Sequence, residues 1–222
     1  MTKASNTLLS EQLRPQQLSD LILPQQIIAR LEHMLKAGDI MNMIFHGLPG
    51  HGKTSAARII TKHLEAHAEG FTYKFNGSSG TGAEDVRKIN EYASSGSLIF
   101  GPTICFIDEA DYLSQNAQAA LRYVIENSLD RWRFLFTAND IDKISGPLQS
   151  RMQPVCFDIA PSDRSEITER LIKRYQETLP KLGVKYDEKR LREIVGLKFP
   201  DLRKIANAFD FAFGSGEESI AA

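Results

Sequence analysis

Residues 47–54 read Gly-Leu-Pro-Gly-His-Gly-Lys-Thr, and this spacing of glycines before a Lys-Thr pair is typical of a phosphate-binding loop. Such a loop needs a strand before it and a helix after it. Residues 41–46 are mostly apolar, which predicts a short buried strand, and a helix is predicted from Thr54 to about Ala68. A glycine-rich turn carrying Lys-Thr by chance is the alternative, and it leaves this context unexplained.

The residue types of this P-loop indicate how it would bind phosphate. Its glycines let backbone N–H groups turn toward phosphate oxygens at a helix N-terminus, where the helix dipole favours anions. Lys53 would reach the outer phosphates, and the Thr54 hydroxyl would ligate Mg²⁺. The motif leaves the position of His51 free, so His51 receives no catalytic role. The predicted cofactor-binding residues of the loop are Gly47, Leu48, Pro49, Gly50, His51, Gly52, Lys53, Thr54 and Ser55.

Two acids follow a second apolar strand, because Asp108 and Glu109 come directly after Ile-Cys-Phe-Ile at 104–107. Carboxylates at the carboxyl end of a strand face the ligand crevice in open α/β sheets. Asp108 would bind Mg²⁺, and Glu109 would polarise the water that attacks the terminal phosphate of ATP. A helix N-cap is the alternative, and it suits Asp111 better than two acids that end a buried strand. With the P-loop, this pair predicts an ATPase.

A third apolar strand ends near Thr137 and is followed by Asn139 and Asp140. Asn139 could orient the attacking water. Asn-Asp after a strand is also a common turn signal, and spacing alone favours the turn.

Strand-like and helix-like segments alternate along the first part of the chain. Short apolar runs at 72–76, 103–107 and 133–137 are separated by enough chain for helices. This alternation predicts an α/β fold with a parallel sheet covered by helices on both faces.

From Pro161 onward the pattern is purely helical, which predicts a small helical lid domain. Asp163 and Glu166 have the spacing of a capping pair at the start of the first lid helix, and later helices are predicted from Asp187 and near Pro200. The expected division is an ATPase domain at 1–160, a lid at 161–213 and a flexible tail at 214–222.

Composition excludes several other classes of protein. The 222 residues contain 27 Lys+Arg and 28 Asp+Glu, which is unlike a disordered tail or a basic nucleic-acid-binding domain. Cys105 and Cys156 lie in apolar surroundings, which predicts buried thiols and no disulfide. The chain has no apolar run of about 18 residues, and residues 1–10 lack the pattern of a secretory signal. We therefore expect a soluble intracellular protein without membrane contact, cytoplasmic or, in a eukaryote, nuclear.

Longer blocks carry a resemblance to a known family. Residues 108–122 read Asp-Glu-Ala-Asp-Tyr-Leu-Ser-Gln-Asn-Ala-Gln-Ala-Ala-Leu-Arg, and shorter blocks surround Arg14-Pro15, Thr137-Ala-Asn139, Ser150-Arg151 and Asp201-Leu-Arg203. Together they resemble the ATPase subunits of sliding-clamp loaders, which are the replication factor C small subunits and their phage counterparts in the AAA+ class. The resemblance covers nearly the whole chain.

The resemblance implies a division of labour between subunits. Lys53, Thr54, Asp108, Glu109 and Asn139 would act within the chain, Arg14 and Pro15 would border the adenine pocket, and Arg203 would bring the lid onto the phosphates. Arg151 would complete the neighbouring subunit's site. In comparable GTPases such an arginine is worth about 10³ to 10⁵ in rate, so an isolated chain would hydrolyse ATP poorly. Without the resemblance, Arg151 and Arg203 would be interpreted as ordinary surface arginines.

Four further residues are expected to relay contacts or to bind DNA. Gln118 and Arg122 are four residues apart on one helix, and the resemblance implies that their face relays DNA and neighbour contacts to the catalytic glutamate. Arg87 and Lys88 resemble a helix near DNA phosphates. Because the first 150 residues carry slightly more acidic than basic groups, any DNA-binding surface must be a local stripe. A solvated charged surface is the alternative.

The chain departs from the family at Met152, where Cys is usual, and at Gln12-Leu13, where Lys-Tyr is usual. Family members continue for roughly a hundred residues into a helical collar, about one small domain. This chain is therefore expected to be either a truncated subunit or a compact relative. Expected partners are a sliding clamp, primer-template DNA and other subunits of a pentamer. The alternatives are a helicase loader or branch-migration motor, or a nucleotide-binding scaffold.

Overall fold

A computed structural model describes residues 8–79, 83–94, 101–128, 130 and 132–213. The predicted tail, 214–222, lies outside these described residues, as do residues 1–7 of the segment considered for a secretory signal. Within the described ranges, no helix is both long enough and apolar enough to span a bilayer.

The described chain forms one sheet of five parallel strands. The strands are β1 Met43–His46, β2 Phe71–Asn76, β3 Thr103–Asp108, β4 Trp132–Ala138 and β5 Gln153–Cys156. Their order is β2-β3-β4-β1-β5, and every pairing is parallel. The predicted α/β fold with a parallel sheet is confirmed. The order also places β4 between β1 and β3, so that the polar residues following these three strands meet at one edge.

Four of these strands are predicted from their apolar runs, and β5 is not. It is a four-residue edge strand whose side chains alternate between half-buried and exposed positions, so it has no apolar run. It contains Pro154, which an edge strand tolerates. Cys156 is exposed, so the prediction of a buried thiol is wrong there. Cys105 in β3 is buried as predicted, and its burial raises the pKa of the thiol.

Helices cover both faces of the sheet. They are α2 Gln25–Lys36, α3 Lys53–His67, α4 Ala83–Ser94, α5 Gln115–Asn127 and α6 Gly146–Gln149. A short helix, α1 Leu9–Gln12, precedes them in the chain and does not belong to either apolar cluster of the sheet. Successive residues of a strand point to opposite faces. Phe45 and Leu135 therefore pack in one apolar cluster with α2 and α3, whereas Ile44 and Phe136 pack in another with α4 and α5.

Three helices follow the sheet and form the lid: α7 Arg164–Lys181, α8 Glu188–Lys198 and α9 Leu202–Phe213. The predicted apolar stripe of α7 is buried, from Ile167 to Leu179. The predicted capping pair is wrong, because the side chain of Asp163 makes no capping hydrogen bond. A 3₁₀ turn over Pro161–Asp163 leads directly into α7, and Asp163 already has helical φ and ψ. A side-chain N-cap needs an extended residue at that position.

The N-terminal segment packs on the lid. Leu9, Leu13 and Ile22 are buried in the same apolar cluster as the inner faces of α7, α8 and α9. Arg174 of α7 donates a hydrogen bond of 3.0 Å to the carbonyl of Leu13. The segment that contains Arg14 and Pro15 is therefore fixed to the lid by both apolar and polar contacts.

Candidate nucleotide-binding site

The P-loop connects β1 to α3 and has a glycine-dependent backbone. Gly47, Gly50 and Gly52 have φ values of +134°, +84° and +88°. Residues with side chains rarely adopt such values. Gly52 is the N-cap of α3, so the loop ends at the positive end of that helix dipole.

Lys53 lies at the centre of the site and is only 7% exposed. Its ammonium group donates to the carbonyls of Gly47 at 2.6 Å and Leu48 at 2.9 Å, and to Oδ1 of Asn139 at 2.9 Å. Burial lowers the pKa of Lys53, and nearby carboxylates, first among them Asp158, oppose that shift.

Asn139 and Asp140 divide the two roles that the sequence left open. Asn139 contacts Lys53, which places it at the P-loop. Asp140 accepts a hydrogen bond of 3.0 Å from the backbone N–H of Asp142 and so caps the following 3₁₀ turn. The turn signal therefore belongs to Asp140, and the side chain of Asn139 is available to the site.

Asp108 connects the acidic strand to the P-loop. Its Oδ1 accepts a hydrogen bond of 2.9 Å from the Thr54 hydroxyl and another from the hydroxyl of Thr137. Thr137 also accepts the backbone N–H of Glu109 at 3.0 Å. Thr137 was not among the predicted site residues. Its place at the carboxyl end of β4, next to β3, is the signal that would have found it.

Glu109 has an unusual backbone conformation, with φ of +56° in the left-handed region. This is uncommon for a residue with a side chain, and such strain clusters at functional sites. The loop after β2 approaches it closely, because a Cβ atom on Gly77 would lie 2.3 Å from the carbonyl oxygen of Glu109. The close approach of Gly77 and the hydrogen bond from the Glu109 N–H to Thr137 therefore both constrain this backbone.

A cleft of about 380 Å³ lies between the sheet edge and the lid. The predicted residues that line it are Arg14, Pro15, Pro49, Gly50, Gly52, Lys53, Thr54, Ser55, Asp108, Glu109, Asn139 and Arg203. Gly47, Leu48 and His51 do not line it; Leu48 is exposed, and His51 is buried. Residues that the sequence analysis did not predict also line it, among them Arg58, Thr137, Arg174, Tyr175 and Asn207.

The lid contacts the P-loop directly. The backbone N–H of Leu202, the first residue of α9, donates a hydrogen bond of 3.2 Å to the carbonyl of Gly50. A Cβ atom on Gly50 would lie 2.2 Å from Oδ1 of Asp201, so this approach requires glycine. The contact places Arg203 on the wall of the cleft.

Arg151 lies elsewhere. It follows α6, forms an ion pair with Glu126 of α5 and donates to the carbonyl of Pro147. It does not line the cleft. The arrangement leaves the arginine on a different surface from the chain's own site.

The predicted relay pair does not form one common exposed face. Gln118 is buried, and its side chain donates to the carbonyls of Leu113 and Lys143 and accepts the N–H of Ser145. Arg122 is exposed. Gln118 therefore ties α5 to the loop that follows β4.

Arg87 and Lys88 are exposed on α4, and both are paired within that helix. Arg87 lies 3.4 Å from Glu91, and Lys88 lies 3.7 Å from Glu84 and 3.6 Å from Asp85. The structure does not bring them into the nucleotide site.

A P-loop at the end of β1, an acidic pair at the end of β3 and a polar residue at the end of the strand between them define a P-loop ATPase. The family model of the ATPase family associated with various cellular activities (AAA) matches residues 43–157. A replication factor C small subunit of Saccharolobus solfataricus is 32% identical over 228 residues, which cover 100% of this chain and 66% of that protein. One from Aeropyrum pernix is 31% identical over 226 residues, covering 100% and 67%. The chain belongs to the AAA family and, within it, to the replication factor C small subunits.

A solved structure of the Thermotoga maritima RuvB Holliday junction branch migration motor matches with a TM-score of 0.69 and 21% identity. The match covers 90% of this chain and 64% of that one, and it shows a shared fold alone. The chain spans about two-thirds of the length of the replication factor C relatives that it matches.

Proposed function

We propose that this chain binds ATP with Mg²⁺ and hydrolyses it as one subunit of a sliding-clamp loader. One observation carries the proposal. Lys53, Thr54, Asp108 and Asn139 come from three separate parts of the sequence, and hydrogen bonds connect them beside Glu109 at the wall of one cleft.

The residues of the cleft fit a nucleotide. The described hydrogen bonds of the Lys53 ammonium go to two carbonyls and an amide, which are neutral acceptors, so its positive charge favours an anionic ligand. The glycine backbone adds N–H groups at the start of α3. Thr54 and Asp108 supply the oxygen ligands that would hold Mg²⁺, which when bound neutralises charge on the phosphate oxygens.

The chain's own residues then have distinct roles in hydrolysis. Glu109 polarises the attacking water, and Asn139 orients it while remaining in contact with Lys53. Arg203 approaches the phosphates from the lid, because Leu202 is already bound to Gly50. Arg14 and Pro15, on the segment that packs against the lid, border the base.

Arg151 would act in the site of a neighbouring subunit. Its place outside the cleft and its ion pair with Glu126 support a role beyond its own chain, because a surface ion pair exchanges partners at little cost. Assembly with other subunits would then switch on hydrolysis. We place this assembly inside the cell, where the DNA is.

Clamp loading on primer-template DNA is favoured over the two alternatives. Family membership in the replication factor C small subunits supports it, whereas the likeness to the branch migration motor concerns the fold alone. A scaffold that binds without hydrolysing would have no need of Glu109 in its strained position.

Measuring ATPase activity of the purified chain alone, and with primed DNA, a sliding clamp and partner subunits, tests the proposal. We expect slow hydrolysis alone and strong stimulation only in the complete mixture. Stimulation by DNA without clamp or partners would favour a different AAA motor. Binding without hydrolysis in every mixture would favour the scaffold.

A further inference from the structure

Asp158 contacts the backbone of the P-loop, although it belongs to none of the sequence motifs described above. It follows β5, and its Oδ1 accepts the backbone N–H of Leu48 at 2.8 Å. The same oxygen lies 3.1 Å from Nδ1 of His51. A Cβ atom on Gly47 would lie 2.8 Å from this oxygen, so glycine is needed for the approach.

The peptide groups at the start of the P-loop are therefore held from two sides. Lys53 binds the carbonyls of Gly47 and Leu48, and Asp158 binds the N–H of Leu48. His51, only 5% exposed, packs inside the loop. Its Nδ1 lies within ion-pair distance of Asp158 but makes no hydrogen bond with it. Asp158 is thus a second anchor of these peptide groups besides Lys53.

We infer that Asp158 is a positioning residue, which keeps residues 47–48 in their phosphate-binding conformation by accepting the N–H of Leu48. The inference rests on the proposed binding of ATP. When phosphate enters, the ammonium of Lys53 has to exchange carbonyl partners for phosphate oxygens. The contact with Asp158 needs no such exchange, so it keeps the loop ordered during that change.

The strand itself does not depend on this carboxylate. The backbone N–H of Phe157 donates to the carbonyl of His46 at 2.7 Å, and Phe157 is buried in the core. Replacing the Asp158 side chain, which is 46% exposed, leaves these contacts in place. We therefore expect variants at this position to fold and melt nearly as the wild type does.

The test compares Asp158→Ala with Asp158→Asn, which loses the charge but keeps a carbonyl acceptor. The measurement is titration with a fluorescent ADP analogue and Mg²⁺, with thermal melting in parallel. We expect Asp158→Ala to weaken binding about tenfold, as the loss of one hydrogen bond does, and Asp158→Asn to stay within about threefold. The matched control is Asp142→Ala. Asp142 is an exposed acid whose charge, like that of Asp158, opposes the lowering of the His46 pKa by burial. It should bind as the wild type does.

Wild-type binding by a folded Asp158→Ala protein, or equal weakening by Asn and Ala, would overturn the inference. Amide hydrogen exchange of Leu48 in the wild type is a second measurement that needs no variant and no nucleotide. We expect strong protection of this amide, and rapid exchange would also overturn the inference. If the wild type bound no nucleotide, the proposed function would fail, and the exchange measurement would still decide the role of Asp158.

Discussion

The residues proposed to bind the nucleotide within this chain differ in their contacts from those expected to act outside it. Lys53 and Asp108 are each held by two or more hydrogen bonds to groups from other elements. Arg151, Arg87 and Lys88 lie at the surface, and each pairs with an acid of its own chain.

This difference indicates which of the proposed sites the isolated chain can form by itself. A buried group with several partners has one geometry, whereas a surface ion pair contributes about 0–1 kcal/mol and exchanges partners easily. The nucleotide side is therefore formed before assembly. We expect the two arginines and the lysine at the surface to keep these acids as partners until another molecule replaces them.

Arg151→Ala should have the largest effect, and it should act across a subunit boundary. In the complete mixture of subunits, clamp and primed DNA, we expect turnover to fall by about 10³ to 10⁵, as for arginines supplied in trans to GTPases. Nucleotide affinity of the isolated chain should not change. The exposed Arg30 of α2 gives the control Arg30→Ala, and full turnover by Arg151→Ala would place the trans-acting group elsewhere.

Glu109→Gln should reduce hydrolysis at the proposed nucleotide site without affecting the surface residues. Replacing the carboxylate by an amide removes the group that polarises water, so turnover should fall by about 10² to 10⁴ while ATP binding stays intact. Single-turnover hydrolysis and nucleotide titration check this. Glu65→Gln on the exposed surface of α3 is the control. Normal turnover of the Glu109 variant would refute the assigned mechanism.

Lys53→Ala should act on binding rather than on assembly. Removing a buried ammonium from three acceptors loses the charge that attracts phosphate, and we expect affinity to fall by roughly 30-fold or more. Titration with a fluorescent nucleotide measures the change, with the exposed Lys62→Ala on the same helix as its control. If affinity is retained, the ligand does not occupy the P-loop.

The residues that the sequence predicted for the nucleotide site lie together in the structure, and their sequence signals are local. The P-loop and the acidic pair are runs of adjacent residues, and the order of parallel strands brings such runs to one edge. Thr137 and Asp158 act through contacts with residues 28 and 110 positions away. Thr137 lies in the block Thr137-Ala-Asn139, but that block did not assign it a contact, and Asp158 lies in none of the blocks. Only the pairing of β3 with β4 and of β1 with β5 brings them to the site.

Helical spacing alone also does not show that Gln118 is buried while Arg122 is exposed. Four residues in a helix turn the chain by about 40° beyond a full revolution, which is enough to cross from the buried to the exposed side. Gln118 therefore binds three backbone groups inside the protein, whereas Arg122 lies in solvent. Its partners lie both in the loop after β4, at Lys143 and Ser145, and at Leu113, four residues after Glu109.

The smallest predicted effect concerns the exposed surface of α4, where Arg87 and Lys88 are expected to contact DNA phosphates. Replacing both by Gln should weaken DNA binding about equally for all sequences, because phosphate contacts carry no base information. The slope of log affinity against log salt should become shallower by about two for duplex DNA. Binding of the assembled complex to primed DNA, measured over a salt series, gives this slope.

The matched control removes two exposed lysines of the lid region, Lys185 and Lys189, which changes net charge by the same amount. An equal change of slope in both double variants would show only the effect of net charge. An unchanged slope in the Arg87 and Lys88 variant would leave these residues as partners of Glu84, Asp85 and Glu91 on a solvated helix. A shallower slope in that variant alone would show that a DNA phosphate replaces those acids as the partner of Arg87 and Lys88. Such an exchange of partners would distinguish these surface residues from the nucleotide site, whose contacts are already formed in the isolated chain.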